Sequence, residues 1–220
     1  MRPQLIETIR VDSDGRMPLL PWHLERLGAS SAALAYHWSV DAVQRAIARV
    51  AAELPEGVTH RLRVLVDDNG AVEMESSVLA PLPDRPRVSL AESRLDSRAP
   101  LLRHKTTWRP WYDGATAWLA AHPDHFDLIY LNERDELCEG SRTNVYLQLD
   151  GKWITPPIEC GALPGVQRAA LLDEEEVVEG VLGRDDLARA TGIRLSNALR
   201  GWLEVDAREI LTPFPRSGRP

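Results

Sequence analysis

The spacing of apolar residues predicts one strand and two helices in the first quarter of the chain. Residues 5–11, LIETIRV, alternate apolar and polar positions and are rich in branched side chains, a pattern typical of a β-strand. Residues 21–38 carry leucines at helical spacing just behind a proline, which predicts an amphipathic helix. Residues 40–54 show the same spacing, and we expect a second helix there.

A hairpin is predicted next. Two alternating runs in residues 59–78 flank Asn69 and Gly70, the dipeptide that most favours a tight turn between antiparallel strands. The proline-rich stretch that follows, APLPDRP, predicts a linker or a domain boundary within residues 80–100.

The second half of the chain alternates between helical and extended patterns. We predict a helix over 109–122, strands over 126–157, a glycine-bearing turn and helix over 161–175, a strand over 176–182, a short helix over 183–191 and a broken strand over 193–205. The last residues, 212–220, are expected to be frayed. This order predicts a mixed α/β (α+β) protein of two domains, residues 1–98 and 99–220.

Composition restricts the class of function. A chain of 220 residues with 44% hydrophobic and 27% charged residues is typical of a soluble globular protein with a sizeable core. The net charge of -7 argues against a sequence-independent nucleic-acid binder, which needs a basic surface. Local basic pockets for small anions stay compatible with that charge.

The cysteines favour a reducing compartment, and the histidines do not predict a metal site. Cys138 and Cys160 form no paired motif, and no apolar run is long enough to span a bilayer or to serve as a signal peptide. We therefore expect a cytoplasmic protein that does not bind membranes. His122 and His125 have metal-ligand spacing, but further ligands at suitable spacing are lacking, so no metal site is predicted.

Two motifs suggest sites for small charged groups. Gly161 and Gly165 bracket a proline just before a predicted helix, whose first N–H groups suit a phosphate. An ordinary helix cap has the same appearance. Glu139 follows a predicted strand and precedes a Gly-Ser turn, so it is either a buried, paired carboxylate or a solvated turn acid.

Lys105, in HKTTWRPWYDGA, is a candidate nucleophile. An amine that forms a Schiff base must be neutral, and burial or nearby positive charge lowers its pKa. Arg103 and Arg109 supply such charge if they point inward. A solvated surface lysine is the alternative.

Six segments, taken in order, resemble the class IV (fold-type IV) aminotransferase family, which uses pyridoxal 5'-phosphate. The nearest likeness within the family is to 4-amino-4-deoxychorismate lyase and to the lyase-like domain fused to some aminodeoxychorismate synthases. The matching segments are LIETIRV, HLERLGASSAAL, HKTTWRPWYD, NERDELCEGSRTNVYL, TPPIECGALPGVQRAALL and IRLSNALRGW. The resemblance implies a smaller N-terminal α/β domain, a C-terminal domain resembling a pseudo-barrel, and a homodimer.

The resemblance also implies roles for individual residues. Lys105 matches the lysine that holds the cofactor covalently, Glu139 the acid that contacts its pyridine nitrogen, and Arg26 the arginine that binds its phosphate. Further phosphate or substrate contacts are implied for Val166, Gln167, Ser196 and Asn197, the first two through backbone N–H groups of the turn.

Two positions differ from patterns common in the family. The aminotransferase branch often has a tyrosine five residues after the lysine, where this chain has Pro110, and the nearest tyrosine is Tyr112. This difference favours a lyase over a branched-chain aminotransferase. A threonine common in the phosphate turn is Gln167 here.

The resemblance implies a lyase that converts 4-amino-4-deoxychorismate to 4-aminobenzoate and pyruvate. Arg63, Arg109 and Arg200 are candidates for binding the two carboxylates, and Arg200 is the one that we select. An aminotransferase acting on a small amino acid is the first alternative. A degenerate, non-catalytic cofactor-binding protein is the second, because an N-terminal strand of the family has no counterpart before residue 5.

Overall fold

The computed structural model describes residues 2–207 and Ile210. The N-terminal part is a three-stranded antiparallel sheet in spatial order β1-β2-β3, formed by β1 (Leu5–Val11), β2 (His60–Val66) and β3 (Val72–Val78). Two helices connect β1 to β2: α1 (Leu20–Leu34) and α2 (Val40–Ala51). The sheet, the hairpin turn and both helices confirm the sequence predictions for this part.

Alternation along β1 and β2 gives the sheet two different faces. One face packs against the helices, and its apolar core includes Leu5, Ile9, Leu27, Ile47 and Leu62. The register pairs Thr8 of β1 with Arg63 of β2 on the opposite face. Because side chains alternate along a strand, Arg61 shares that face with Arg63. This second face borders the cavity described below.

The remaining strands form two further sheets. One has the spatial order β4-β5-β6, formed by β4 (Arg87–Leu95), β5 (His125–Asn132) and β6 (Leu137–Gly140). The other has the order β11-β10-β7-β8-β9, formed by β7 (Asn144–Leu149), β8 (Lys152–Thr155), β9 (Val178–Glu179), β10 (Gly192–Asn197) and β11 (Gly201–Glu204). Three helices complete this half: α3 (Asp113–Ala121), α4 (Val166–Asp173) and α5 (Arg184–Arg189).

Two element predictions need correction. The stretch 80–100 was predicted to contain a linker or a domain boundary, but Arg87–Leu95 within it forms β4, which pairs in parallel with β5. Val88 and Leu95 are buried, and this burial stabilises a strand despite the neighbouring prolines. The strand predicted over 176–182 is only Val178–Glu179.

The division at residues 98 and 99 stays a prediction, although β4 pairs with a strand from beyond that division. The expected frayed tail, residues 212–220, lies outside the described residues. In the described part of the chain, the longest and most apolar helices fall short of what a membrane span requires.

Residues 104–107 connect the two halves at the edge of β1. The N–H of Ile6 donates to the carbonyl of Lys105 at 2.8 Å, and the N–H of Thr107 donates to the carbonyl of Gln4 at 2.9 Å. These backbone hydrogen bonds fix the position of Lys105 relative to the N-terminal sheet.

Candidate functional site

A cavity of 410 Å³ lies between the polar face of the N-terminal sheet, α1 and the start of α4. Cavities of about 300–1,000 Å³ hold small ligands and cofactors. Six predicted site residues line this cavity: Arg26, Lys105, Glu139, Val166, Ser196 and Asn197. A larger cavity of 810 Å³ lies elsewhere, beside Trp153 and Arg194, and none of the predicted site residues line it. The smaller cavity is therefore the candidate site.

Lys105 has the electrostatic surroundings of a reactive amine. Burial, reinforced by the positive charges of Arg109 and Arg26, lowers the pKa of Lys105 to about 7, against the opposing effect of Glu7 and Glu139. An amine with this pKa is about half neutral at pH 7, whereas an ordinary lysine is almost fully protonated. This environment therefore supplies the neutral amine that a Schiff-base lysine needs.

Glu139 is buried at the end of β6, on the floor of the cavity. One carboxylate oxygen, Oε2, accepts a hydrogen bond from the N–H of Leu163 at 2.8 Å. The other, Oε1, accepts from the hydroxyl of Tyr112 and lies 3.7 Å from Nη2 of Arg109. Burial raises the pKa of Glu139 above its usual value, although the charges of Arg109 and Lys105 and both hydrogen bonds lower it. A cation placed in the cavity would stabilise the ionised carboxylate.

Arg26 projects from α1 and is held by a second buried glutamate, Glu7 of β1. Its Nε donates to Glu7 Oε1 at 2.8 Å, its Nη2 donates to Glu7 Oε2, and its Nη1 donates to the carbonyl of Pro164 at 3.2 Å. Nδ1 of His23 also contacts Glu7 Oε2, at 2.6 Å. Burial raises the pKa of Glu7, but the charge of Arg26 and the contacts with His23 outweigh it and lower that pKa to about 2. Glu7 is therefore an anion that fixes one edge of the Arg26 guanidinium, leaving further N–H groups for a ligand.

The start of α4 lies at the same end of the cavity as Arg26. Gly165 precedes the first helical residue, Val166, and no side chain caps this helix end. A Cβ at Gly165 would lie 1.8 Å from Oδ1 of Asn144, so only glycine fits there. Nδ2 of Asn144 donates to the carbonyl of Leu163 at 2.9 Å and fixes the loop before the helix. The N–H groups at the helix start are thus available to an anion beside Arg26.

Ser196 and Asn197 line the cavity from the end of β10. The hydroxyl of Ser196 contacts the hydroxyl of Tyr146 at 2.7 Å, which fixes its orientation. The side chain of Asn197 forms hydrogen bonds within its own turn: its Oδ1 accepts from the N–H groups of Leu199 at 3.1 Å and Arg200 at 3.0 Å. A positioning role suits Asn197 better than a ligand contact.

Gln167 and Arg200 lie outside the residues that line the cavity. Gln167 is the second residue of α4, and its side chain approaches Gly201. Arg200 follows the turn that begins at Asn197, and its N–H donates to Oδ1 of Asn197. Burial and the nearby charge of Arg10 lower the pKa of Arg200. The selection of Arg200 as a substrate-binding residue stays a prediction.

Several lining residues were missed or only partly recognised in the sequence. Arg61 and Arg142 join Arg26, Arg63, Lys105 and Arg109, so six cationic residues line the cavity together with one acid, Glu139. The alternation in HRLRV carries the signal for Arg61, because it places Arg61 and Arg63 on one face of β2. A chain with net charge -7 therefore has a strongly cationic cavity.

Comparison with known proteins identifies the family. The family model for amino-transferase class IV matches residues 4–207, and the chain belongs to this family of fold-type IV enzymes. A Schizosaccharomyces pombe protein named "Putative aminodeoxychorismate lyase" is 27% identical over 193 residues, which are 85% of this chain and 83% of that protein. The family and the fold predicted from the sequence are confirmed.

Two solved structures extend the comparison. A "Putative amino-acid aminotransferase" from Mesorhizobium loti is 32% identical, with a TM-score of 0.86, and the match covers 94% of this chain and 100% of that one. A "hypothetical aminotransferase" from Mycobacterium tuberculosis in a PLP-bound form has the same fold, with a TM-score of 0.74 at 22% identity over 93% of this chain and 80% of that one. Fold-type IV enzymes depend on pyridoxal phosphate, so this chain is an enzyme of a pyridoxal-phosphate class.

Proposed function

We propose that this protein is a lyase that uses pyridoxal 5'-phosphate to convert 4-amino-4-deoxychorismate to 4-aminobenzoate and pyruvate. The observation that carries the proposal is the single cavity in which Lys105, with a pKa of about 7, and the buried Glu139 lie among five arginines. The substrate has an amine to react with the cofactor and two carboxylates to attract the arginines.

The residues of the cavity fit the cofactor. Arg26 and the N–H groups at the start of α4 would hold its phosphate, and Ser196 would add a hydroxyl. Glu139 would accept a hydrogen bond from the pyridine nitrogen and balance its positive charge. When bound, the cofactor supplies an electron-accepting ring system.

Lys105 would act as the base. Its Nζ takes the proton from the substrate carbon that bears the nitrogen, which requires the neutral amine that a pKa of about 7 provides. The C–O bond to the enolpyruvyl group then breaks, the six-membered ring becomes aromatic, and a proton returns to the leaving enolpyruvate to give pyruvate. Aromatisation makes the overall step favourable.

The arginines would select a dianionic substrate. Arg61 and Arg63 project from β2 on one side of the cavity, and Arg142 projects from the turn after β6 on another. A planar guanidinium binds a carboxylate through two N–H groups, so arginines on two walls suit a ligand with two carboxylates. Arg61 and Arg142 take the place of Arg200 in this proposal.

Transamination is the second candidate, favoured by the 32% identity to the Mesorhizobium loti protein over the whole length of that chain. The same lysine and glutamate would serve, and only the fate of the proton and of the product differs. The purified protein is therefore offered 4-amino-4-deoxychorismate without a keto acid. Release of one pyruvate per 4-aminobenzoate supports the lyase, whereas turnover that requires a keto-acid acceptor supports the aminotransferase.

Reductive trapping tests the attachment point directly. The chain has two lysines, Lys105 and Lys152, and Lys152 is exposed on β8. Borohydride reduction after addition of pyridoxal phosphate, followed by peptide mass mapping, is expected to label Lys105 and not Lys152. A protein that gains no visible absorbance and no label after the cofactor is added would be the degenerate, non-catalytic form.

A further inference from the structure

Asp127 is a fully buried carboxylate outside the lining of the cavity. It lies on β5 and accepts hydrogen bonds from the N–H of Leu128 (2.8 Å), the N–H and hydroxyl of Ser141 (2.9 and 2.5 Å), the N–H of Arg142 (3.2 Å) and the hydroxyl of Thr143 (2.7 Å). Four of these five donors belong to residues 141–143, the turn between β6 and β7. A single carboxylate therefore holds the whole turn.

Gly140, the residue before the turn, leaves space for this carboxylate because it has no side chain. A Cβ at Gly140 would lie 2.2 Å from Oδ2 of Asp127 and 2.4 Å from the hydroxyl of Thr143. No residue with a side chain fits at this position without displacing Asp127, which indicates that the backbone and the carboxylate are packed as one unit.

Hydrogen bonds continue from this turn to the other side of the cavity. Nδ2 of Asn197 donates to the carbonyl of Arg142 at 3.3 Å, and Oδ1 of Asn197 accepts from the N–H of Leu199. Nη1 of Arg10 donates to the carbonyl of Leu199 at 3.1 Å. Arg142, Asn197 and Leu199 all line the cavity, so a continuous chain of hydrogen bonds connects Asp127 to the N-terminal sheet along one wall.

We propose that Asp127 is a positioning residue for this wall: it anchors residues 141–143 and, through Asn197, fixes residues 197–200 and the place of Arg142 in the cavity. Only the identity of the ligand that Arg142 contacts rests on the proposed function. Lys105, Arg26 and the start of α4 lie outside this chain of contacts, so the effect falls on the substrate side and not on the cofactor side.

Asp127→Asn tests the inference with almost no change in volume. With Nδ2 in place of Oδ2, the amide faces the N–H of Arg142, and two donors oppose each other. The hydroxyl of Thr143 can rotate to accept, but the backbone N–H cannot. We expect amide hydrogen exchange to rise about tenfold both in residues 141–143 and in residues 197–200, since a buried group loses its partner.

Ser141→Ala is the matched control. It removes one hydrogen bond to the same carboxylate and leaves the Arg142 N–H bonded, so exchange in residues 197–200 should equal that of the wild type. Faster exchange confined to residues 141–143 in Asp127→Asn, or an equal rise at 197–200 in the control, would overturn the inference. If Asp127→Asn does not fold, Asn197→Ala breaks the same chain at its middle, and exchange should rise in residues 197–200 while residues 141–143, still held by Asp127, keep the wild-type rate. A rise in residues 141–143, or none in residues 197–200, would then overturn the inference.

Kinetics separate positioning from general stability. Asp127→Asn should raise KM for the amine substrate about tenfold, with kcat within about threefold and the dissociation constant for pyridoxal phosphate within about twofold. Equal losses in KM, kcat and cofactor affinity would mean a merely structural residue. If the wild-type protein turns over no substrate, the proposed function fails while the exchange measurement still decides the role of Asp127.

Discussion

Two buried glutamates interact with the charge of Lys105, and their pKa values are shifted in opposite directions. Glu7 and Glu139 are both almost inaccessible to solvent, yet the pKa of Glu7 falls to about 2 while that of Glu139 rises. Glu7 has two hydrogen bonds from Arg26 and a contact with His23, whereas the arginine nearest to Glu139 is 3.7 Å away. Because both carboxylates are about equally buried, the difference in the direction of the pKa shift comes from their partners.

This contrast separates two kinds of role. The charge of Glu7 is already balanced by Arg26, so Glu7 is suited to hold the arginine in place. Glu139 has a hydroxyl and a backbone N–H as close partners, and it is suited to receive a cation from a ligand. Four substitutions sharpen or break this comparison, from the largest expected effect to the smallest.

Lys105→Ala removes the amine whose pKa both glutamates affect. Turnover should fall by about 10⁴-fold, because a nucleophile and a proton acceptor are lost together. The fold should persist, since the side chain carries no core packing, and circular dichroism checks this. Lys152→Ala, which changes the only other lysine, should keep full activity and full labelling by pyridoxal phosphate. Substantial activity in Lys105→Ala would contradict the assignment of this amine.

Glu7→Gln should destabilise the protein by about 3–5 kcal/mol, the cost of removing one partner from a buried ion pair. Urea unfolding measures the change. Glu25→Gln, an exposed glutamate on α1, is the control and should change stability by less than about 0.5 kcal/mol. Stability should depend on pH because the pKa of Glu7 is lowered in the folded protein. The stability that Glu7 confers is fully present above its usual pKa of 4.5 and is lost as the pH falls from 4.5 towards 2. Glu7→Gln should weaken that loss.

Glu139→Gln should have a small effect on stability and a large effect on turnover. Stability should change by less than about 1 kcal/mol, because burial already disfavours the charge and glutamine keeps an acceptor for the N–H of Leu163. Turnover should fall by about 10²-fold, as expected when one preorganised charge is removed. A loss of stability as large as that of Glu7→Gln would show that both glutamates are structural anions and would remove the contrast.

Lys105→Met tests the titration of the amine whose pKa both carboxylates raise. The pKa of Lys105 is about 7 in the folded protein against 10.5 for an ordinary lysine, so between these values the unfolded chain binds a proton that the folded protein does not. Stability therefore rises with pH over this range in the wild type. Lys105→Met should flatten that slope, and Lys152→Met should leave it unchanged. A slope that persists in Lys105→Met would place the titrating group elsewhere.

Much of the fold was predictable because its signals are local. Residues 5–11 alternate, the helix that follows carries leucines on one face, and Asn69 with Gly70 marks the hairpin. The strand Arg87–Leu95 was missed because its register shifts between Leu90 and Arg94, which breaks the alternation that identifies a strand.

The site was only partly predictable. The resemblance to the family singled out Arg26, Lys105 and Glu139, and the structure places all three in one cavity. Glu7 and Asp127 gave no signal in the sequence, because each is defined by partners 14 to 19 residues away that meet it only in the folded chain.

The sequence by itself predicted most of the strands and helices in their order, the family, and the amine and the acid that we propose for the chemistry. Tertiary structure alone decided that Arg61 and Arg142 line the same cavity as that amine, and that the pKa values of two equally buried glutamates shift in opposite directions. The physical reason is that periodicity along a chain sets which face a side chain occupies. The energy of a buried charge depends instead on the few atoms within about 4–6 Å of it, which come from distant parts of the sequence.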